Sequence, residues 1–155
     1  MNKIKVIFLD VDSVLNSKYT QELTKKGAVF IETRLVEKLQ AIIEETDAEV
    51  VLSSDWRYDR NDPRYNSDFL ELQELLRQYG IEFYDYTPET HPFWRGGEIQ
   101  EWLDKHPEVE SFVILDDRND IEPNMDRLVQ TLNGEGITDE NVAEAIGLLN
   151  QVNES

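Results

Sequence analysis

The sequence contains no cysteine and only two histidines, His91 and His106. The first absence excludes a disulfide scaffold, thiol catalysis and any cysteine-based zinc site. The second leaves little material for a multi-histidine metal centre or a phosphohistidine relay. A metal held by this chain must be held by oxygen, the donor preferred by Mg2+ and Ca2+. Positive charge is scarce as well: 15 Lys and Arg face 33 Asp and Glu, a net charge of −18 at pH 7. Such a field favours solubility and repels bulk nucleic acid and anionic membrane, although a small basic site can persist inside it. No apolar run approaches the ~20 residues of a membrane span. The run that starts near Ile4 is ended by Asp10 and Asp12 and is too short for a signal peptide. Repeats, linkers and low-complexity tracts are absent. The expectation is a cytoplasmic protein with no membrane partner.

What is present suits one domain over residues 1–155. Hydrophobic residues at 39% and aromatics at 10% argue against general disorder despite the charge. Short apolar runs at Ile4 to Leu9, Glu49 to Leu52, Ile81 to Tyr84 and Ser111 to Leu115 read as strands, with a fifth at Leu128 to Thr131. Between them lie residues at helical spacing. Leu35, Val36, Leu39, Ile42 and Ile43 mark a helix from about Thr33 to Glu45. Phe69, Leu72, Leu75, Leu76 and Tyr79 mark a second, stopped by Gly80. Ile99, Trp102 and Leu103 mark a third, closed by His106 and Pro107. Val142, Ala145, Ile146 and Leu149 mark the last. No Lys or Arg follows Arg127, so this last segment reads as a solvated acidic helix. Solid apolar strands separated by helices predict an α/β fold with a parallel sheet covered on both faces.

Ligands of open α/β sheets bind at the carboxyl ends of the strands. Asp10 and Asp12 follow the first strand, Ser53, Ser54 and Arg57 the second, and Asp116 and Asp117 the fourth. Four carboxylates brought to one edge repel one another unless a cation sits among them. A hard divalent ion with oxygen ligands answers that need. Asp10 and Asp12 are two apart, so their side chains point the same way if the strand continues past Leu9. A carboxylate beside a metal can attack phosphorus and form an aspartyl-phosphate. A second can serve as general acid and then base. A hydroxyl and a guanidinium would hold the phosphoryl oxygens.

The segment Asp10-Val-Asp-Ser-Val-Leu-Asn16 resembles the first motif of the haloacid dehalogenase (HAD) phosphohydrolase superfamily. Val51-Leu-Ser-Ser-Asp-Trp-Arg57 resembles the second, and Arg95-Gly-Gly-Glu-Ile stands in the place of the third, basic motif. Val113-Ile-Leu-Asp-Asp-Arg118 resembles the fourth. The set is most similar to the small HAD domains of "Swiss army knife" RNA-repair proteins. Its Asp-Asp-Arg ending is also similar to polynucleotide 3′-phosphatases and deoxyribonucleotidases. The resemblance implies a three-layer, HAD-like Rossmannoid fold and a Mg2+-dependent phosphomonoester hydrolase. It implies Asp10 as nucleophile and Mg2+ ligand, with Asp12 as general acid/base giving its backbone carbonyl to the ion. Ser53 is the first candidate for the motif-two hydroxyl and Ser54 the second, as a substrate-binding group. Arg95 stands for the usual Lys, which changes a point charge into a fork. Asp116 and Asp117 hold the ion directly or through water. Ser13 occupies a position where the family usually has Gly, and it fits if φ stays negative or at modest strain.

Arg57 reads as a second phosphate-binding group, or as a structural residue paired with Asp55 or Asp59. Arg95 reads as functional, because a cation is unfavourable at a helix N-terminus unless an anion accompanies it. Trp56 and Trp94 flank the site, for stacking on a base or for core packing. His91 reads as a solvated loop residue, and Arg118 as a brace for the loop after Asp117. Arg57, Arg60, Arg64, Arg95 and Arg118 all fall near the strand ends and are expected to form a local attractive spot. The span from Ser13 to Phe30 has room only for a short flap, so the site should be capless and open. The expected substrate is a phosphorylated small molecule, a nucleotide or a nucleic-acid phosphate terminus, not an extended duplex. The rival readings are a broad small-metabolite phosphatase and a non-catalytic module that binds Mg2+ and phosphate.

Overall fold

A β-branched, apolar run with no turn former inside it is satisfied as an inner strand buried on both faces. Ile4–Leu9 is such a run and forms β1, the middle strand of a five-stranded sheet. The computed structural model describes residues 2–151. Beside β1 lie β2 (Glu49–Leu52) and β4 (Val109–Asp116), and outside those β3 (Phe83–Tyr86) and β5 (Leu128–Gln130). The order is β3-β2-β1-β4-β5 and every pairing is parallel. The helices are α1 (Thr33–Thr46), α2 (Ser67–Gln78), α3 (Arg95–Asp104) and α4 (Asp139–Leu149). Among the described residues, no helix is long and apolar enough to cross a membrane.

The two-residue period of β1 divides its side chains between two cores. Ile7 and Leu9 join the larger core with Leu35, Leu39, Leu72, Leu76, Ala145 and Leu149 from α1, α2 and α4. Val6 and Phe8 join a smaller one with Ile99 and Trp102 of α3. Phe8 meets Trp102 edge to face, with ring centroids 5.4 Å apart. The expected three-layer architecture is therefore present, with α3 alone on one face. The chain first winds outward from β1 through β2 to β3, then restarts on the other side at β4. That reversal opens the crevice of the sheet between the carboxyl ends of β1 and β4.

Two readings from sequence are corrected. The third strand begins two residues later than expected, because the turn before it uses Ile81. Gly80 adopts a left-handed φ of +74° after α2. The Ile81 N–H then donates to the Leu76 carbonyl at 2.9 Å, and the Gly80 N–H to that of Arg77 at 3.0 Å. This is the Schellman closure of a helix, so the Ile81 amide is taken up by the cap instead of the sheet ladder. The acidic last helix is not solvated all round. Ala145 and Leu149 are fully buried, and Lys38 of α1 pairs with Asp139 at its start. Thr138 and Asn141 close it with a reciprocal capping box. The short flap is present as a turn whose arms bridge at Leu23 and Val29.

Helix α1 ends on Asp47, which takes a left-handed conformation (φ 56°) with no glycine to relieve it. Its carboxylate also faces the negative end of the helix dipole. Asn tolerates this backbone and removes the charge. Asp47→Asn should therefore raise stability by about 0.5 kcal/mol, read as a higher urea midpoint with an unchanged slope. An unchanged or lower midpoint would contradict this account of the helix end.

Candidate active site

The crevice between β1 and β4 is filled with carboxylates. The Asp10 N–H donates to the Leu115 carbonyl at 3.0 Å, so β1 keeps its pairing one residue past its end. Asp116 is the last residue of β4, and Asp117 follows it. Asp10, Asp116 and Asp117 each offer a carboxylate oxygen, and these oxygens lie within 4.8 Å of one another. Asp10 and Asp116 are buried and Asp117 half-buried.

Asp12 does not share that direction. The chain turns directly after Asp10, with the Val14 and Leu15 amides returning to the Val11 carbonyl at 3.1 and 2.8 Å. Asp12 is consequently exposed, and both of its oxygens are held from the other side. The Trp56 indole N–H donates to Oδ2 at 3.2 Å and the Asn16 amide to Oδ1 at 3.0 Å. Ser13 sits at the turn with a φ of +69°, the strained one of the two alternatives the sequence left open. A left-handed serine costs roughly 1 kcal/mol or more. Two contacts hold it there: its N–H donates to Asn16 Oδ1 at 2.8 Å and its Oγ to Asn133 Oδ1 at 3.0 Å.

Arg95 is buried at the first position of α3. Its Nη1 lies 3.1 Å from Asp10 Oδ1 and 2.8 Å from Asp116 Oδ2, and its Nη2 lies 3.3 Å from Asp55. The loop after β4 fixes this helix start. The Arg95 N–H donates to the Asp120 carboxylate at 3.2 Å and the Gly96 N–H to the Asp120 carbonyl at 2.9 Å. A Cβ on Gly96 would lie 2.3 Å from the Glu122 carbonyl oxygen, so only glycine permits this approach. Arg118 braces the same loop by pairing with Asp120, as its sequence position suggested.

Ser54 lines the small cavity at the centre, about 200 Å³ bounded also by Asp10, Asp12, Asp55, Arg95, Asp117 and Arg118. Ser53 is fully buried, and its hydroxyl meets no partner among the described residues. Arg57, expected to reach a ligand or to pair with Asp55 or Asp59, does neither. It is fully buried, and its guanidinium donates to five oxygens. These are the carbonyls of Thr87 (2.9 Å), Ser53 (3.2 Å), Ser54 (2.7 Å) and Pro88 (3.2 Å), and the Glu98 carboxylate (2.8 Å). All five N–H donors of an arginine are thereby used. Arg60 and Arg64 are also spent elsewhere, on Glu89 and Asp62. The expected basic spot reduces to Arg95 and Arg118. Trp94 keeps its indole on the Glu122 carbonyl at 3.1 Å, and His91 packs against it edge-on.

Burial, reinforced by Asp116, pushes the Asp10 carboxyl well above the usual range, with Arg95 opposing. Burial likewise raises Asp116, again opposed by Arg95. Burial pulls the Arg95 guanidinium down, but Asp116 and Asp10 more than reverse this. One cation therefore serves a cluster of three carboxylates, which leaves negative charge uncompensated. An all-oxygen, anionic donor set of this kind suits a hard divalent ion, which Asp10, Asp116 and Asp117 could hold. Glu98 and Asp120, which position Arg57 and the α3 start, were not distinguished by sequence, and Asp55 was distinguished only as a partner for Arg57, whereas it pairs with Arg95. Each looks like an ordinary surface acid there, and only the spacing of Glu98 from Arg95 hinted at an inward face.

The family of the HAD domain in Swiss Army Knife RNA repair proteins matches residues 6–142. A solved structure of a protein from Mesorhizobium loti, described as a HAD-like phosphatase, superposes with a TM-score of 0.62. It is 12% identical in sequence, and the match covers 100% of this chain and 90% of that one. That likeness is one of fold. No curated protein matches the chain.

Removing the Arg57 guanidinium would leave the buried Glu98 carboxylate without its counter-ion, holding only the His91 N–H, and would take a donor away from four carbonyls. Breaking a buried pair in this way costs about 3–5 kcal/mol. Arg57→Leu should lose that much in chemical denaturation, whereas a loss under ~1 kcal/mol would show that the network contributes no more than a surface pair.

Proposed function

The chain belongs to the HAD domain family of Swiss Army Knife RNA repair proteins, and from that premise we propose that it is a Mg2+-dependent phosphomonoester hydrolase with Asp10 as nucleophile. The observation that carries the reading is the buried Asp10 carboxylate, flanked by Asp116 and Asp117 and contacted by Arg95 at 3.1 Å. A phosphate ester brought to this cavity meets two guanidinium groups, Arg95 and Arg118, and the Ser54 hydroxyl, with the Ser53 hydroxyl behind. When bound by Asp10, Asp116, Asp117 and the Asp12 carbonyl, Mg2+ supplies the positive charge that lets two anions approach. Asp10 attacks phosphorus through a carboxylate oxygen, and the bond from phosphorus to the leaving oxygen breaks. The leaving alkoxide takes a proton from Asp12, which Trp56 and Asn16 hold at the mouth of the site. Asp12 then withdraws a proton from water, whose oxygen attacks the aspartyl-phosphate and releases inorganic phosphate and Asp10. Arg95 stabilises charge on the phosphoryl oxygens throughout.

A nucleotide or nucleic-acid phosphate end is the first reading of the substrate, supported by the RNA-repair context of the family and by the room the short flap leaves. A small phosphate ester is the second reading, favoured by the reduction of the basic spot to Arg95 and Arg118.

Phosphate release from p-nitrophenyl phosphate and from 3′- and 5′-phosphorylated oligonucleotides tests the reaction. Release should require Mg2+ and stop with EDTA. Asp10→Asn should reduce it on the order of 10³-fold or more while leaving the fold intact, and retained turnover would remove Asp10 as nucleophile. Arg95→Ala should weaken phosphate binding and turnover together; an unchanged rate would make Arg95 a purely structural counter-ion.

A further inference from the structure

A second, larger cavity of about 520 Å³ adjoins the catalytic one, and the two share Asp12 and Asp55. Its walls carry three aromatic rings, Trp56, Tyr65 and Phe69. Four carboxylates line it, those of Asp12, Asp55, Asp59 and Asp68, and among the described residues no Lys or Arg does. One oxygen of Asp68 is buried and accepts no hydrogen bond among the described residues. The volume falls in the ordinary range of small-molecule sites. Its place is specific: Asp12, the residue that meets the leaving oxygen, forms part of both cavities, and its Oδ2 is tied to the Trp56 ring.

We propose that this cavity is the leaving-group subsite of the hydrolase and that it selects alcohols carrying a positive charge. The inference rests on the phosphatase reading and deepens its second form, the small phosphate ester, against a nucleic-acid end. A group leaving from phosphorus at Asp10 passes Asp12 and enters a chamber of aromatic faces and carboxylates. An ammonium or guanidinium is attracted by both, through the ring quadrupole and through Coulomb attraction. A neutral leaving group would desolvate Asp59 and Asp68 without compensating them. A polynucleotide would bring its next phosphodiester against the same carboxylates, and the repulsion is strongest where water is excluded. The Tyr65 ring already has a guanidinium over it, that of Arg64 at 5.3 Å from the ring centroid. The ring chemistry there thus accommodates a cation.

The test compares kcat/KM, with Mg2+ present, for phosphocholine and O-phosphoethanolamine against glycerol 3-phosphate and a 3′-phosphorylated tetranucleotide. The cationic esters should be preferred over glycerol 3-phosphate by about tenfold or more. Asp59→Asn combined with Asp68→Asn should bring that ratio toward one, and Asp59→Asn alone should lower it if the double variant folds poorly. Choline alone should change the intrinsic tryptophan fluorescence of the wild type and not that of Trp56→Phe. Release from p-nitrophenyl phosphate without preference for the cationic esters overturns the inference and leaves the phosphatase reading standing. A preference for the tetranucleotide does the same. No release from any ester overturns both, and choline binding without turnover would then leave a cation site with no role in hydrolysis.

Discussion

Mutual repulsion among carboxylates buried at one point of the sheet is the constraint on which this structure turns. Asp10, Asp116 and Asp117 converge where β1 and β4 part, and burial raises the cost of each charge. The fold answers with one buried cation. Arg95 reaches the site because α3 starts there, and α3 starts there because Asp120 takes its first amides and Gly96 lets the loop after β4 come close. Those pieces are interdependent: a bulkier residue at Gly96 or a lost acceptor at Asp120 would move the guanidinium that keeps the acids together.

A second buried arginine lies one strand away and does different work. Arg57 joins the end of β2 to the end of β3 through four carbonyls and reaches α3 through Glu98. Arg57 therefore fixes the backbone of Ser53 and Ser54 from below, whereas Arg95 faces the cavity. Chemically identical side chains are separated in role by the partners they find. Carbonyls and a single carboxylate consume every donor of Arg57, whereas Arg95 is set among excess negative charge. The left-handed Ser13 belongs to the same economy of position. Its strain is held by Asn16 and Asn133, and Asn16 also orients Asp12.

Charge shapes the reading of substrate as strongly as geometry does. A net charge of −18 is evident from composition, but composition is silent on where the few cations go. Arg60 and Arg64 lie near the strand ends, yet nearby acids neutralise them. The approach to the cavity at Asp10 is in consequence anionic, with aromatic rings set among the acids, and among the described residues the cations that line that cavity are Arg95 and Arg118.

By itself the sequence determined the alternation of strands and helices, the parallel sheet and the grouping of Asp10, Ser53, Ser54, Asp116 and Asp117 at one edge. Apolar periodicity and the position of polar residues after strands are local signals, written in consecutive residues. It did not determine the start of β3, because a helix cap borrowed the Ile81 amide, nor the left-handed turn at Ser13. Nor did it reveal that Asp12 turns away from Asp10 toward Trp56, which of its two roles Arg57 takes, or that Glu98 is its counter-ion. Those outcomes depend on which groups meet across the fold, as Arg57 and Glu98 do from 41 residues apart. A buried charge takes the partner that packing brings within reach, and only the tertiary structure decides which partner that is.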